Sequence, residues 1–180
     1  MKWLRRKDRG GEASTPDGGS ADVEAKKTAG DVEGLVQLMN GTKDLNLRGE
    51  AVKALGELGD ARAVGPLLEK FEGHVRILRN MILAQEEPPT PDMPAMLMSS
   101  VMAGELTIRE ADALARMADE RVRASFGAML KDEILGGAAE GIERLKARGR
   151  GNEAVLAATM LSQVVRVRDI AAQTVGSGGH

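Results

Sequence analysis

Between Asp31 and Phe71 the apolar residues recur every three or four positions, the spacing of helices that bury one face. Val32, Leu35, Val36, Leu38 and Met39 form the first stripe, opened by Asp31 as an N-cap after Gly30 and stopped by Asn40-Gly41. Leu47, Ala51, Val52, Ala54, Leu55 and Leu58 form the second, closed by Gly59-Asp60. Gly56 interrupts this stripe at a cost of about 1 kcal/mol relative to Ala, so a close helix–helix approach is expected there. Residues 62–72 predict a third helix, with Pro66 in its first turn and Leu67, Leu68 and Phe71 on its apolar face.

A shift of 32 positions aligns the first and third of these helices: Val32 with Val64, Leu35 with Leu67, Val36 with Leu68, Met39 with Phe71 and Gly41 with Gly73. That period lies in the range of helical-hairpin repeats. The pattern of Leu47-Arg48 through Leu55-Gly56 returns weakly at residues 75–84 and 122–130. It returns clearly at Val167-Arg168 through Val175-Gly176, where Ala171 and Gly176 take the places of Ala51 and Gly56. Arg79 and Phe126 stand where the small Ala belongs in the middle copies, which are therefore degenerate or false. Clustered prolines over residues 88–94 break the pattern. Beyond them helices are predicted near 95–103, 107–119, 121–135, 138–148 and 152–175, with Thr107-Ile108-Arg109-Glu110 as a capping box for the second.

The resulting organisation has five parts. Residues 1–28 are a basic, then Gly/Ser-rich arm, expected to be disordered because it holds too little apolar surface to offset its ordering entropy. Residues 29–87 hold the repeats, 88–94 the proline-rich break, 95–176 a helical region of divergent repeats or a separate helical domain, and 177–180 a frayed tail. Composition agrees with an all-α chain: 42% apolar but only 2% aromatic residues leave a core of Leu, Val, Ile, Met and Ala, a palette for packed helices rather than sheets.

Charge and residue inventory narrow the chemistry. A formal net charge of −2 gives no overall pull toward nucleic acid, and the basic run Arg144, Lys146, Arg148, Arg150 has no aromatic interleaving. With no Cys there is no disulfide, thiolate metal site or thiol nucleophile. No apolar run approaches the roughly 20 residues that span a bilayer, and no apolar segment follows the basic start; a cytoplasmic protein is expected. His74 reads as a turn or helix-start residue rather than a ligand, and His180 ends the chain. Glu86-Glu87, Asp119-Glu120 and Asp132-Glu133 read as solvated helix surface, since adjacent helical residues do not share a face. No catalytic, cofactor or metal site is assigned. Met93, Met96, Met98 and Met102 either pack onto the solenoid or form an adaptable binding lip.

The stretch Asp44 to Asp60, with Arg48, Ala51, Ala54, Leu55, Gly56 and Gly59 between, resembles the second helix of a HEAT-like repeat of the phycobilisome-lyase type. Leu45 stands where such repeats usually have Pro. The resemblance implies a short, right-handed α-solenoid of antiparallel helix pairs, less regular in its C-terminal half. It implies structural roles for Asp44, Arg48, Ala51, Gly56, Gly59 and Asp60. Asp44 and Arg48 are expected to bond to each other or to neighbouring repeats, and Gly59-Asp60 to make a tight turn. Deoxyhypusine hydroxylase, which carries such repeats, binds iron through His-Glu pairs; this chain has none.

The function expected from these observations is a non-enzymatic adaptor holding a protein partner of unknown identity. Arg48, Lys53, Glu57, Arg76 and Asn80 are the candidate contacts, taken from polar positions of the second-helix pattern. Two other readings stay open. One is a lyase-like or assembly-factor subunit that presents a protein substrate and its tetrapyrrole. The other is peripheral membrane attachment through Met1–Lys7, where basic residues flank Trp3 and Leu4. Nothing in the sequence selects an oligomeric state.

Overall fold

A computed structural model describes residues 16–84, 93–148 and 151–177. Within them the chain is helical: α1 (Pro16–Ala29), α2 (Val32–Gly41), α3 (Leu45–Leu58), a 3-10 turn (Ala61–Ala63), α4 (Val64–Ala84), α5 (Met93–Arg116), α6 (Glu120–Leu130), α7 (Glu133–Gly136), α8 (Ala138–Arg148) and α9 (Asn152–Gly176). One hydrophobic cluster runs from Val23 in α1 to Ala171 in α9.

The helices form two layers, as helical hairpins stacked side by side require. α1, α3 and α5 lie in one layer and run parallel: Gly19 faces Leu47 and Lys27 meets Glu57, while Gly49 faces Arg109 and Gly56 faces Ala113. α4 and α6 lie in the other, also parallel, with the Phe71 and Phe126 rings 5.2 Å apart and Arg79 bonded to Asp132 beyond the end of α6. α2 hairpins onto α3 and abuts the 3-10 turn, where Glu33 Oε1 accepts from Arg62 Nη1 at 2.8 Å. α9 packs on both α5 and α6, and α8 covers α9.

Local chemistry sets the boundaries in the first repeat. Asp31 Oδ1 caps α2 by accepting from the Gly34 N–H at 2.8 Å. Asp44 Oδ1 caps α3, accepting from Asn46 N–H at 2.8 Å and Leu47 N–H at 3.2 Å. Gly59 ends α3 with φ +65°, a left-handed conformation that glycine adopts without a Cβ penalty. Asp60 then caps the 3-10 turn through the Arg62 N–H at 2.9 Å. Of the two bondings expected for Asp44 and Arg48, the one to each other is not made: Arg48 Nη2 donates to the Thr42 carbonyl at 2.7 Å, so each ties the loop before α3 separately. Arg168, the matching residue of the 167–176 copy, repeats the device in α9, donating to the carbonyls of Leu130 at 3.3 Å and Asp132 at 3.4 Å. Asp44→Ala is expected to lower stability by about 1 kcal/mol, read as a shifted denaturation midpoint with an unchanged slope.

Four boundaries differ from the sequence-based expectation. Residues 16–28, expected as part of a disordered arm, form α1: Pro16 suits the first helical turn, Val23 is buried, and Lys26 pairs with Asp22 at 3.3 Å. One buried Val and a neighbouring helix suffice where composition predicts disorder, because tertiary packing rather than propensity stabilises most protein helices. The start of the arm, most of the proline break and the end of the tail lie outside the described residues.

The helix predicted over 62–72 does not stop at Gly73-His74; α4 continues to Ala84, with Phe71, Leu78 and Met81 buried across the expected junction. His74 is therefore mid-helix, not a turn residue. The helices predicted at 95–103 and 107–119 are one, α5, and the capping box is not a cap: Thr107 Oγ1 donates to the Ala103 carbonyl at 2.6 Å, the back-bond of a helix interior. The helix predicted at 121–135 is broken at Lys131-Asp132, where Asp132 Oδ1 accepts from the Ile134 and Leu135 N–H groups and starts α7.

Candidate functional site

Glu50, Lys53 and Glu57 follow one another at helical spacing along α3, so they share the side turned away from buried Ala51, Val52 and Leu55. Because α1 and α5 flank α3 in the same layer, this polar ridge has a groove on each side. The α1–α3 groove, of about 290 Å³, is lined by Ser20, Glu24, Lys27, Glu50, Lys53 and Glu57, among others. The α3–α5 groove, of about 190 Å³, adds Arg109, Asp112 and Arg116 across from Glu50 and Lys53, with Gly49 and Ala113 beneath them. Small residues make the second groove possible. A Cβ on Gly49 would collide with the Arg109 guanidinium, and one on Gly56 would lie 2.7 Å from the Cα of Ala113.

The two grooves differ electrostatically. On the α1 side the charges neutralise one another: Lys27 Nζ lies 2.7 Å from Glu57 Oε2 and 3.7 Å from Glu24 Oε2, and Lys53 Nζ lies 3.7 Å from Glu57 Oε1. The hydrogen bond between Lys27 and Glu57 holds the carboxyl below its ordinary range and the ammonium above it. Both groups are solvated, so the pair contributes little to the stability of the fold. On the α5 side neither Arg109 nor Arg116 has an ion pair or hydrogen bond among the described residues, although the charge of Arg116 is felt at Glu57. Glu50 and Asp112 share the α3–α5 groove without bridging to either arginine.

Of the five contacts expected from the sequence, the structure brings together Lys53 and Glu57. Arg76 and Asn80 are exposed on α4, in the opposite layer, because the segment taken as a second helix is the continuation of α4. Arg48 points the other way, with its Nε buried and unpartnered and its charge acting on Glu110. The helix that lies beside α3 in its own layer is α5, so Arg109, Asp112 and Arg116, not Arg76 and Asn80, stand across from the α3 ridge.

Behind the ridge, α4 and α5 enclose a buried polar pair. His74 Nδ1 lies 2.9 Å from Glu110 Oε2, the Glu110 side chain is fully buried, and its Oε1 has no partner. Burial pushes the Glu110 carboxyl above its ordinary range, opposed by the bond to His74 and by the charges of Lys70 and Arg48. Among the described residues no group of three or more His, Asp or Glu side chains is placed to hold a metal ion. No helix among them is long and apolar enough to cross a membrane.

The family described as PBS lyase HEAT-like repeat matches residues 47–73, which run from the first turn of α3 through the 3-10 turn to Gly73 in α4. Residues 47–73 thus form a HEAT-like repeat, and the ridge of α3 lies within the matched residues. No curated protein and no solved structure matches the chain.

Proposed function

We propose that this protein is a non-catalytic adaptor that holds a protein partner along the layer of α1, α3 and α5. The observation that carries this reading is the pair of grooves flanking α3, which share Glu50 and Lys53 and lie on the HEAT-like repeat itself. Helical-repeat layers present extended surfaces of this kind to polypeptides.

The test compares the full chain with its K53E/R109E/R116E variant, each tagged and recovered from its own cells with cross-linking and quantitative mass spectrometry. A protein retained by the parent, cross-linked to α1, α3 or α5, and depleted about tenfold or more by the variant is the expected outcome. A partner held equally by the folded variant would remove the grooves from the interaction and sink the proposal.

A further inference from the structure

We infer that the α3–α5 groove takes acidic side chains of the partner, an inference that rests on the α1–α3–α5 layer being the docking face. The argument is one of charge complementarity. Three cations line this groove, Lys53 from the α3 wall and Arg109 and Arg116 from the α5 wall, against two carboxylates, Glu50 and Asp112. Neither guanidinium is used internally among the described residues, whereas Lys27 in the neighbouring groove is bonded to Glu57 and close to Glu24. A carboxylate entering the α1–α3 groove would compete with Glu24, Glu50 and Glu57; one entering the α3–α5 groove meets two unpaired guanidiniums beside two carboxylates, Glu50 and Asp112.

Geometry adds a spacing. Arg109 and Arg116 are seven residues apart on one helix, two turns, so their Cα atoms stand about 10 Å apart on the same side. Gly49 leaves the space that the Arg109 guanidinium occupies, which draws that charge over α3 instead of outward from α5. Guanidinium is the group best suited to a carboxylate, since its planar fork donates two parallel hydrogen bonds. A partner helix with two acidic residues seven positions apart has the matching repeat of about 10 Å.

The experiment uses the full chain, labelled with ¹⁵N and titrated with an alanine-rich peptide carrying two glutamates seven positions apart, and with its glutamine analogue. Amide shifts at residues 49–53 and 109–116 are expected with the glutamate peptide, with affinity falling severalfold between low and physiological salt. The glutamine peptide and the R109Q/R116Q variant are each expected to bind at least about tenfold more weakly, the variant's remaining amide pattern reporting an intact fold. Equal shifts with the glutamine peptide, shifts that persist in the variant, or shifts located elsewhere overturn the inference. So do concentration-dependent shifts at these amides without peptide, which would make a second copy the occupant. If the acidic peptide fails while R109Q/R116Q still loses the cellular partner, the docking face stands and only the carboxylate specificity falls. If the variant keeps that partner as well, both fall.

Discussion

Gly56→Leu is expected to lower stability by about 3 kcal/mol, a fall in melting temperature of about 10 °C for a chain of this size. The cause is contact with backbone rather than with a yielding side chain. A Cβ at position 56 meets the Cα and Cβ of Ala113, both at 2.7 Å, so α3 and α5 must separate along their whole length. Gly56→Ala isolates the effect. On propensity alone the change would stabilise α3 by about 1 kcal/mol; against Ala113 it is expected to destabilise instead. Gly127→Ala in α6 is the control, because nothing lies within 4 Å of a Cβ there and its φ is an ordinary helical one. That variant should gain up to about 1 kcal/mol. Adding Ala113→Gly to Gly56→Ala should recover part of the loss, as neighbours that share one contact do not act additively. A Gly56→Ala protein as stable in urea as its parent would show that the two helices do not meet there.

The same glycine shows what could be read from the sequence. An interior Gly in an otherwise good helix signals a close approach, but not against what; its partner, Ala113, lies 57 positions further on in a segment with no repeat signal. From Asp31 to Phe71 caps, apolar stripes and the Gly59-Asp60 turn act within a few residues, so the first hairpin was legible. The failures lie where tertiary contact overrides a local signal. Gly73-His74 looks like a junction, yet the buried face of Phe71, Leu78 and Met81 runs straight through it. Thr107 and Glu110 spell a capping box, yet the first bonds back to Ala103 and the second is turned inward toward His74. Because α4 runs unbroken through that point, residues 75–84 are no separate helix, and the helix beside α3 is α5. Arg76 and Asn80 therefore lie in the layer opposite α3, while Lys53 and Glu57 lie along α3 itself.

The buried pair between α4 and α5 gives the second large effect. His74→Ala is expected to cost about 3 kcal/mol near neutral pH, because it strips the one hydrogen bond from a carboxyl that is fully buried and whose other oxygen already has none. The loss should depend on pH with a definite sign. Burial raises the Glu110 pKa in the folded state above its ordinary 4.5, and His74 works against that rise. Between the unfolded and folded values the folded chain binds more protons than the unfolded chain, so this group makes stability fall as pH rises through that window and level off above it. Removing His74 pushes the folded value higher still, which widens the window. The deficit of His74→Ala should therefore be smaller at about pH 5 than at about pH 8. Arg48 and Lys70, the other cations that act on Glu110, remain in place in both variants and lessen the effect without abolishing it. Adding Glu110→Gln to His74→Ala removes the charge that must be buried. The double variant should be more stable than His74→Ala at about pH 8 and lose the added slope. Urea denaturation of the three proteins at the two pH values decides the matter. A His74→Ala deficit that is unchanged between them, or one that Glu110→Gln fails to relieve, would mean that Glu110 is folded in its neutral form throughout and that no buried charge depends on His74.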